Sequence, residues 1–284
     1  MVICASNSQC TRSTPVQCRA VAGNSRCGSD QRPESLNAFE GGVPTVRLVL
    51  LQAALNGRRS RSEHAGVPIS PAELQADAIA CGAAGARAFH VHPRDPEGVE
   101  RLDPQWVDAA ANAVHDVSRW PVSVSTGAWI EGDQHRRVAL LSRWTGPDAA
   151  SVNVSEDGAI ETIRALLGVG VRVEAGVWSV EDAELLARSG LADRTERVLV
   201  ELGDLPVGDV AAVADGIHAV LDRIDLLSPR LQHGEDETAW PALEDALRRG
   251  VDTRIGLEDV LVLPDGSVAP DNAALVAAAM ELAR

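Results

Sequence analysis

A chain of 284 residues exceeds the span of an average domain, yet closed α/β barrels run to about 250 residues as one unit, so a single large domain accounts for it as well as two do. Apolar residues make up 45% and charged residues 24%, which excludes wholesale disorder; 41 acidic against 26 basic residues give a net charge of −15 with no basic stripe, which argues against nucleic acid and anionic membrane as partners. The chain has no lysine, which excludes Schiff-base aldolases, pyridoxal enzymes, P-loop phosphate binding and carbamylated-lysine hydrolases.

Residues 1–44 are rich in Ser, Asn, Gln, Gly and Arg without apolar period, which predicts a flexible leader or an over-extended start. Cys4, Cys10, Cys18 and Cys27 lie there, in no C-x-x-C pair, and receive no role; the fifth cysteine, Cys81, reads as a small core residue. No signal-peptide run is present, and Val46 to Leu55 is too short to span a bilayer, so a cytoplasmic protein is expected.

From Val46 onward short apolar runs alternate with helical stretches. The first strand, Val46 to Ala54, ends at Asn56-Gly57. Ser70-Pro71-Ala72-Glu73 is a capping box with Pro at the first helical position, opening a helix that stops near Gly85. Strand two is Ala88 to His92, followed by a helix from Asp103-Pro104 to about Ser118. Further strands are expected at Pro121 to Ser125, Ala149 to Asn153, Val171 to Ala175, Arg197 to Leu202, Leu226 to Gln232 and Thr253 to Glu258, and the last helix at Asp271 to Ala283. Eight β-then-α units over residues 45–284 imply parallel strands with right-handed crossovers, and a (β/α)8 TIM barrel is the economical closure. An open doubly wound sheet is the rival, but no G-x-G-x-x-G follows the first strand.

A barrel of this kind builds its site at the strand C-termini. His90 and His92, two apart on one strand, share a face and make half a metal site; two core histidines are the plain alternative. In Arg254-Ile255-Gly256-Leu257-Glu258-Asp259, the residues Arg254, Gly256 and Glu258 would share the inner face of strand eight. Closure then brings Glu258 towards both histidines across strand one, completing a two-His, one-carboxylate set. Asp259 could turn towards Arg254 as a carboxylate–guanidinium dyad, or simply cap a helix. Ser125-Thr126-Gly127 offers donors for a carboxylate, though a plain turn explains it too. Asn56, Asn153, Glu174 and His233 also fall at expected strand ends.

These motifs, in this order, resemble the β-keto acid cleavage enzymes, also known as 3-keto-5-aminohexanoate cleavage enzymes. The resemblance extends from the first strand to the C-terminus and includes Ala54-Leu55-Asn56-Gly57, Pro68 to Leu74, Ala84-Gly85-Ala86 and Gln232-His233-Gly234. It implies one zinc ion on His90, His92 and Glu258, and a homo-oligomer. The implied reaction condenses a β-keto acid with acetyl-CoA and, after internal CoA transfer, releases acetoacetate and a new acyl-CoA. Asp259, oriented by Arg254 and kept ionised by it, would remove the α-proton. Ser125, Thr126 and Gly127 would hold the keto acid's carboxylate, with Glu174 and Asn153 near the substrate and Asn56 and Arg59 as further contacts. One departure stands out: Arg58-Arg59-Ser60 occupies the place where the lysine-fermentation member has an acid, so an aminated substrate is not expected and a neutral or anionic tail is. Arg58, Arg59 and Arg61 could alternatively meet CoA phosphates. Two other readings remain: a mononuclear metal-dependent hydrolase, and a non-catalytic barrel that binds a CoA-type ligand.

Overall fold

The computed structural model describes residues 49–284, so the expectations for residues 1–44 and for residues 46–48 of the first strand lie outside the described residues. Eight parallel strands close into a barrel in chain order, with β1 paired to both β2 and β8. The strands are β1 (Leu51–Ala54), β2 (Ala88–Val91), β3 (Val122–Ser125), β4 (Ala149–Asn153), β5 (Arg172–Val177), β6 (Arg197–Glu201), β7 (Arg230–His233) and β8 (Asp252–Ile255). Between and after them run α1 (Pro71–Ala84), α2 (Pro104–His115), α3 (Gln134–Leu141), α4 (Ala159–Gly168), α5 (Val180–Ser189), α6 (Val210–Arg223), α7 (Ala239–Arg249) and α8 (Asn272–Leu282). No helix of the described residues is long and apolar enough to cross a membrane.

The strands are buried on both faces, as a parallel sheet wrapped by helices requires. Outward residues such as Phe89, Val91, Val122 and Val124 enter the layer between strands and helices, joined there by Leu74, Cys81 and Val107. Cys81 is thus the core residue its setting suggested. Local signals fix the helix starts: Ser70 and Glu73 form the reciprocal capping box of α1, and Asp271 accepts a bond from Ala274 N at the head of α8. Asp103 precedes Pro104 at the start of α2 as expected, but its side chain makes no cap bond.

Besides β1, which begins at Leu51, three strands differ from expectation by more than one residue. β7 begins at Arg230 rather than Leu226, because Asp225 takes a positive φ and Ser228 hydrogen-bonds back to Ala192 O and Thr195 O. β5 continues to Val177, which leaves Glu174 inside the barrel rather than at its mouth. β8 ends at Ile255, three residues short of Glu258. A Cβ on Gly256 would lie 1.8 Å from Ala54 O, so only glycine passes this close to β1. The chain then turns, with Asp259 N and Val260 N both bonded to Gly256 O.

Asn272 ties that turn down. Its Oδ1 accepts from Leu257 N, and its Nδ2 donates to Leu55 O and Asp77 Oδ2. Asp77 lies mostly buried between α1 and α8, and burial raises its carboxyl to about 6. A raised acid disfavours the native state once ionised, so this penalty is absent below the unfolded value near 4 and complete above about 6. Asp77→Asn is expected to stabilise the protein by up to about 2 kcal/mol at pH 7 to 8, a difference vanishing below about pH 4. Thermal melts across that range check it; a variant less stable than wild type at pH 8 would contradict it.

Candidate active site

The strand C-termini surround a cavity of about 400 Å³. His90 turns into it from β2 and His92 from the position just past the end of β2, two residues on and therefore on the same side, and both are buried. Glu258 reaches them from the turn after β8, across β1. One ligand atom from each of the three lies within 4.8 Å of the others, and among the described residues this is the one such group of His, Cys, Asp or Glu. His92 Nε2 is 3.5 Å and His90 Nε2 3.8 Å from Glu258 Oε1. Two ligands of a tetrahedral ion at bond lengths near 2.1 Å stand about 3.4 Å apart, so the spacing suits a divalent cation better than direct hydrogen bonds. Glu258 Oε2 is also buried without a hydrogen-bond partner. The residues present therefore fit a metal ion.

Each imidazole is held from behind. His90 Nδ1 contacts Ser123 Oγ at 3.3 Å, and His92 Nδ1 meets Glu100. Glu100 also accepts from Trp129 Nε1 at 3.1 Å, while the Trp129 ring stacks on His92 at 6.3 Å between centroids. Burial lowers His90 to about 3. The same burial acts on His92, but Glu258 and Glu100 overcome it and raise the imidazole to about 9. A carboxylate behind a ligating histidine fixes its tautomer and increases its basicity. Glu100→Gln is accordingly expected to weaken metal binding about 10- to 100-fold with little change in fold, measured by competition against a chelator; unchanged affinity would refute the role.

Arg254 NH2 bonds Glu258 Oε1 at 2.9 Å and Asp259 Oδ1 at 2.8 Å. A turn delivers both carboxylates to it: for Asp259 this is the turn expected, and for Glu258 it replaces the strand face that Glu258 was expected to share with Arg254. Arg254 holds Glu258 well below the usual carboxylate range against the effect of burial. Asp259, wholly buried, is instead pushed up to about 8 by burial and by the neighbouring Glu258, against Arg254. The pairing expected to keep Asp259 ionised is outweighed because one guanidinium serves two carboxylates. An acid near neutrality is suited to taking and returning a proton.

The other expected residues divide. Ser125, Gly127, Asn153 and Arg59 line the cavity. Gly127 lies under Trp129, where a Cβ would come within 2.2 Å of the indole. Asn153 Nδ2 donates to Glu156, and Arg59 pairs with Glu63 and Asp236. Thr126 is turned away, its hydroxyl donating to Ser151 O. Asn56 is fully buried and joins the loop after β1 to β2, donating to Pro68 O and His92 O and accepting from His92 N. Glu174 sits deeper in the barrel, paired with Arg197 at 3.2 Å and bonded by Gln52 and Ser123. Arg58 stacks over Trp129, and Arg61 pairs with Glu73. His233 is buried against Asp259 and Glu201, at 3.8 and 3.7 Å.

Sequence reasoning missed Glu100, Trp129, Trp178, Glu201 and Glu235. Glu201 was legible as the polar end of an apolar strand; Glu100 and Trp129 stand in loops that carry no periodic signal.

An eight-stranded parallel barrel with two histidines and a carboxylate converging at its C-terminal mouth is an α/β barrel with a frame that can hold a metal ion. The family model described as "beta-keto acid cleavage enzyme" matches residues 48–284, and the chain belongs to that family. Among solved structures it is similar to ObcA in binary complex with oxaloacetate, at 17% identity and a TM-score of 0.62 over 76% of this chain and 63% of that one. ObcA in ternary complex with a C4-CoA adduct and oxalate matches at 19% identity and 0.60, over 76% and 63%. 3-Dehydroquinate dehydratase from Geobacillus kaustophilus shares the barrel at 12% identity and 0.54, over 82% and 91%. The chain thus spans less than two thirds of the ObcA chains' length.

Proposed function

We propose that the protein is a zinc-dependent β-keto acid cleavage enzyme that exchanges acyl groups with acetyl-CoA, acting in the cytoplasm as a homo-oligomer with one zinc per chain. The observation that carries the reading is the convergence of His90, His92 and Glu258 at one cavity beside Arg254, which lines it too and pairs with the buried Asp259 behind. In the net reaction a β-keto acid and acetyl-CoA give acetoacetate and a new acyl-CoA. ObcA complexes hold oxaloacetate, itself a β-keto acid, and a CoA adduct, which supports keto acid and CoA chemistry in a barrel of this shape.

Zinc on His90, His92 and Glu258 would supply Lewis acidity towards a keto oxygen. Asp259 takes the α-proton and later returns it, held in place by Arg254. Ser125 and Gly127 receive the keto acid's carboxylate; Thr126, with its hydroxyl engaged elsewhere, supports that turn. Asn153 contacts the substrate from β4. Asn56 and Glu174 act by holding β2 and Ser123 rather than by touching substrate. With Arg59 occupied by Glu63 and Asp236, and Arg58 against Trp129, a neutral substrate tail is favoured over an anionic one.

The test is to supply zinc-loaded protein with acetyl-CoA and a panel of β-keto acids and follow acetoacetate. Acetoacetate that requires both substrates is expected. Hydrolysis of esters or amides without acetyl-CoA would favour the hydrolase reading. Tight acyl-CoA binding without turnover would favour the non-catalytic barrel.

A further inference from the structure

Between β5 and β6 the cavity wall carries a carboxyl that the reaction above does not use. Gly176 faces inward from β5, and a Cβ placed on it would lie 2.1 Å from Glu201 Oε1 and 3.0 Å from Asn153 Oδ1. The niche a side chain would occupy is filled by the end of Glu201 instead. Glu201 closes β6, is 6% exposed and lines the cavity. Its carboxyl accepts no hydrogen bond among the described residues; His233 Nε2 approaches at 3.7 Å. Arg254, whose charge acts on it, is already shared between Glu258 and Asp259.

Glu235, from the loop after β7, lines the same wall, packed over Gly203, with Leu199 and Trp178 beside it. Burial pushes both carboxyls up, Glu201 to about 8 with Glu235, Glu258 and Asp259 adding to it, and Glu235 with Glu258 and Asp236 adding to it. Among the described residues no cation is left to pair with Glu201 once Arg254 is shared, so a proton is what neutralises this buried carboxyl. A carboxyl that keeps its proton both donates and accepts, the pattern a neutral hydroxyl matches. A carboxylate tail would meet acidic neighbours there, and an apolar tail would leave a buried polar group unpaired. Ser125 and Gly127, which would hold the keto acid's carboxylate, lie on β3 and its loop, three strands round the barrel from β6. None of the residues assigned to the carboxylate or the keto group stands on this wall, so the remote end of the substrate is the part left for it to meet.

We propose that Glu201, seated in the niche left by Gly176, is the specificity-determining residue for the substrate tail and selects a neutral tail bearing a hydroxyl group. This rests on the β-keto acid reading and narrows its substrate class. The test compares β-keto acids of equal length ending in methyl, hydroxyl, ammonium or carboxylate, by kcat/KM and, independently of turnover, by calorimetric binding to zinc-loaded protein. Wild type is expected to favour hydroxyl over methyl by about tenfold, the worth of one buried hydrogen bond, and to disfavour carboxylate. Glu201→Leu should erase the hydroxyl preference and Glu201→Gln, which still donates and accepts, should keep it. Gly176→Ala, which displaces the Glu201 carboxyl, should act like Glu201→Leu.

An order of tails that is the same in wild type and Glu201→Leu, in turnover and in binding, would overturn the assignment. So would a wild-type preference for ammonium that Glu201→Gln abolishes, since the wall would then act as an anion. Absence of acetoacetate from every panel member would count against the β-keto acid reading, while the binding order would still decide the role of Glu201. Failure of all four tails to bind would overturn both.

Discussion

A His92→Ala variant is expected to purify as a folded barrel that neither retains metal nor forms acetoacetate. The imidazole is one of the three side chains that would hold the metal, and losing a ligand should weaken binding by more than the roughly 100-fold upper range seen when only a supporting group is removed. Its loss also removes the imidazole that stands between Glu100 and Glu258, and no neighbouring side chain of the group supplies a nitrogen in its place. Elemental analysis and the acetoacetate assay, run beside wild type, check the two halves separately. Full metal content in the variant would remove His92 from the ligand set and, with it, the reason for assigning the site. Far-ultraviolet circular dichroism should match wild type, because Phe89 and Val91, not His92, anchor β2 in the apolar layer.

Asp259→Asn should have the opposite signature, with metal retained and turnover lost. Proton transfer by a positioned side chain contributes about 10²- to 10⁴-fold, and a drop in kcat of that size is expected with a much smaller change in KM. The amide has the carboxylate's shape, and Arg254 keeps Glu258 as its partner, so the turn should hold. A kcat within about threefold of wild type would exclude Asp259 as the proton acceptor. The two variants together separate a site that cannot assemble from one that assembles without its base.

The sequence made the barrel legible because β-then-α alternation is a local signal repeated eight times, with Ser70, Pro104 and Asp271 marking helix starts. His90 and His92 were equally legible, since strand periodicity alone places them on one face. Glu258 was found for a partly wrong reason: the strand was expected to carry it, whereas Gly256 ends the strand against Ala54 and the turn that was expected only for Asp259 carries both. Asn56 and Glu174 show the limit of reading strand ends. Both are polar and near the mouth in sequence, but Asn56 is occupied by backbone partners, and Glu174 shifts inward once β5 runs two residues further. Glu201 and Glu235 went unnoticed because the only sequence signal for the tail lay in the arginines after Gly57. Which loops share a wall depends on closure around the barrel, and no window of sequence contains that.

The turn after β8 and the wall between β5 and β6 differ in how freely they can drift. Gly256 under Ala54, and Asn272 bonded to Leu257, Leu55 and Asp77, couple the Glu258 end of the site to the seam that closes the barrel. Change there would disturb folding and chemistry together, so descendants of this chain should vary little at those positions. Gly176 and Glu201 share a niche and touch no such seam. A lineage could exchange which of the two strands fills that niche, by two substitutions, and so move to a new substrate while keeping its reaction.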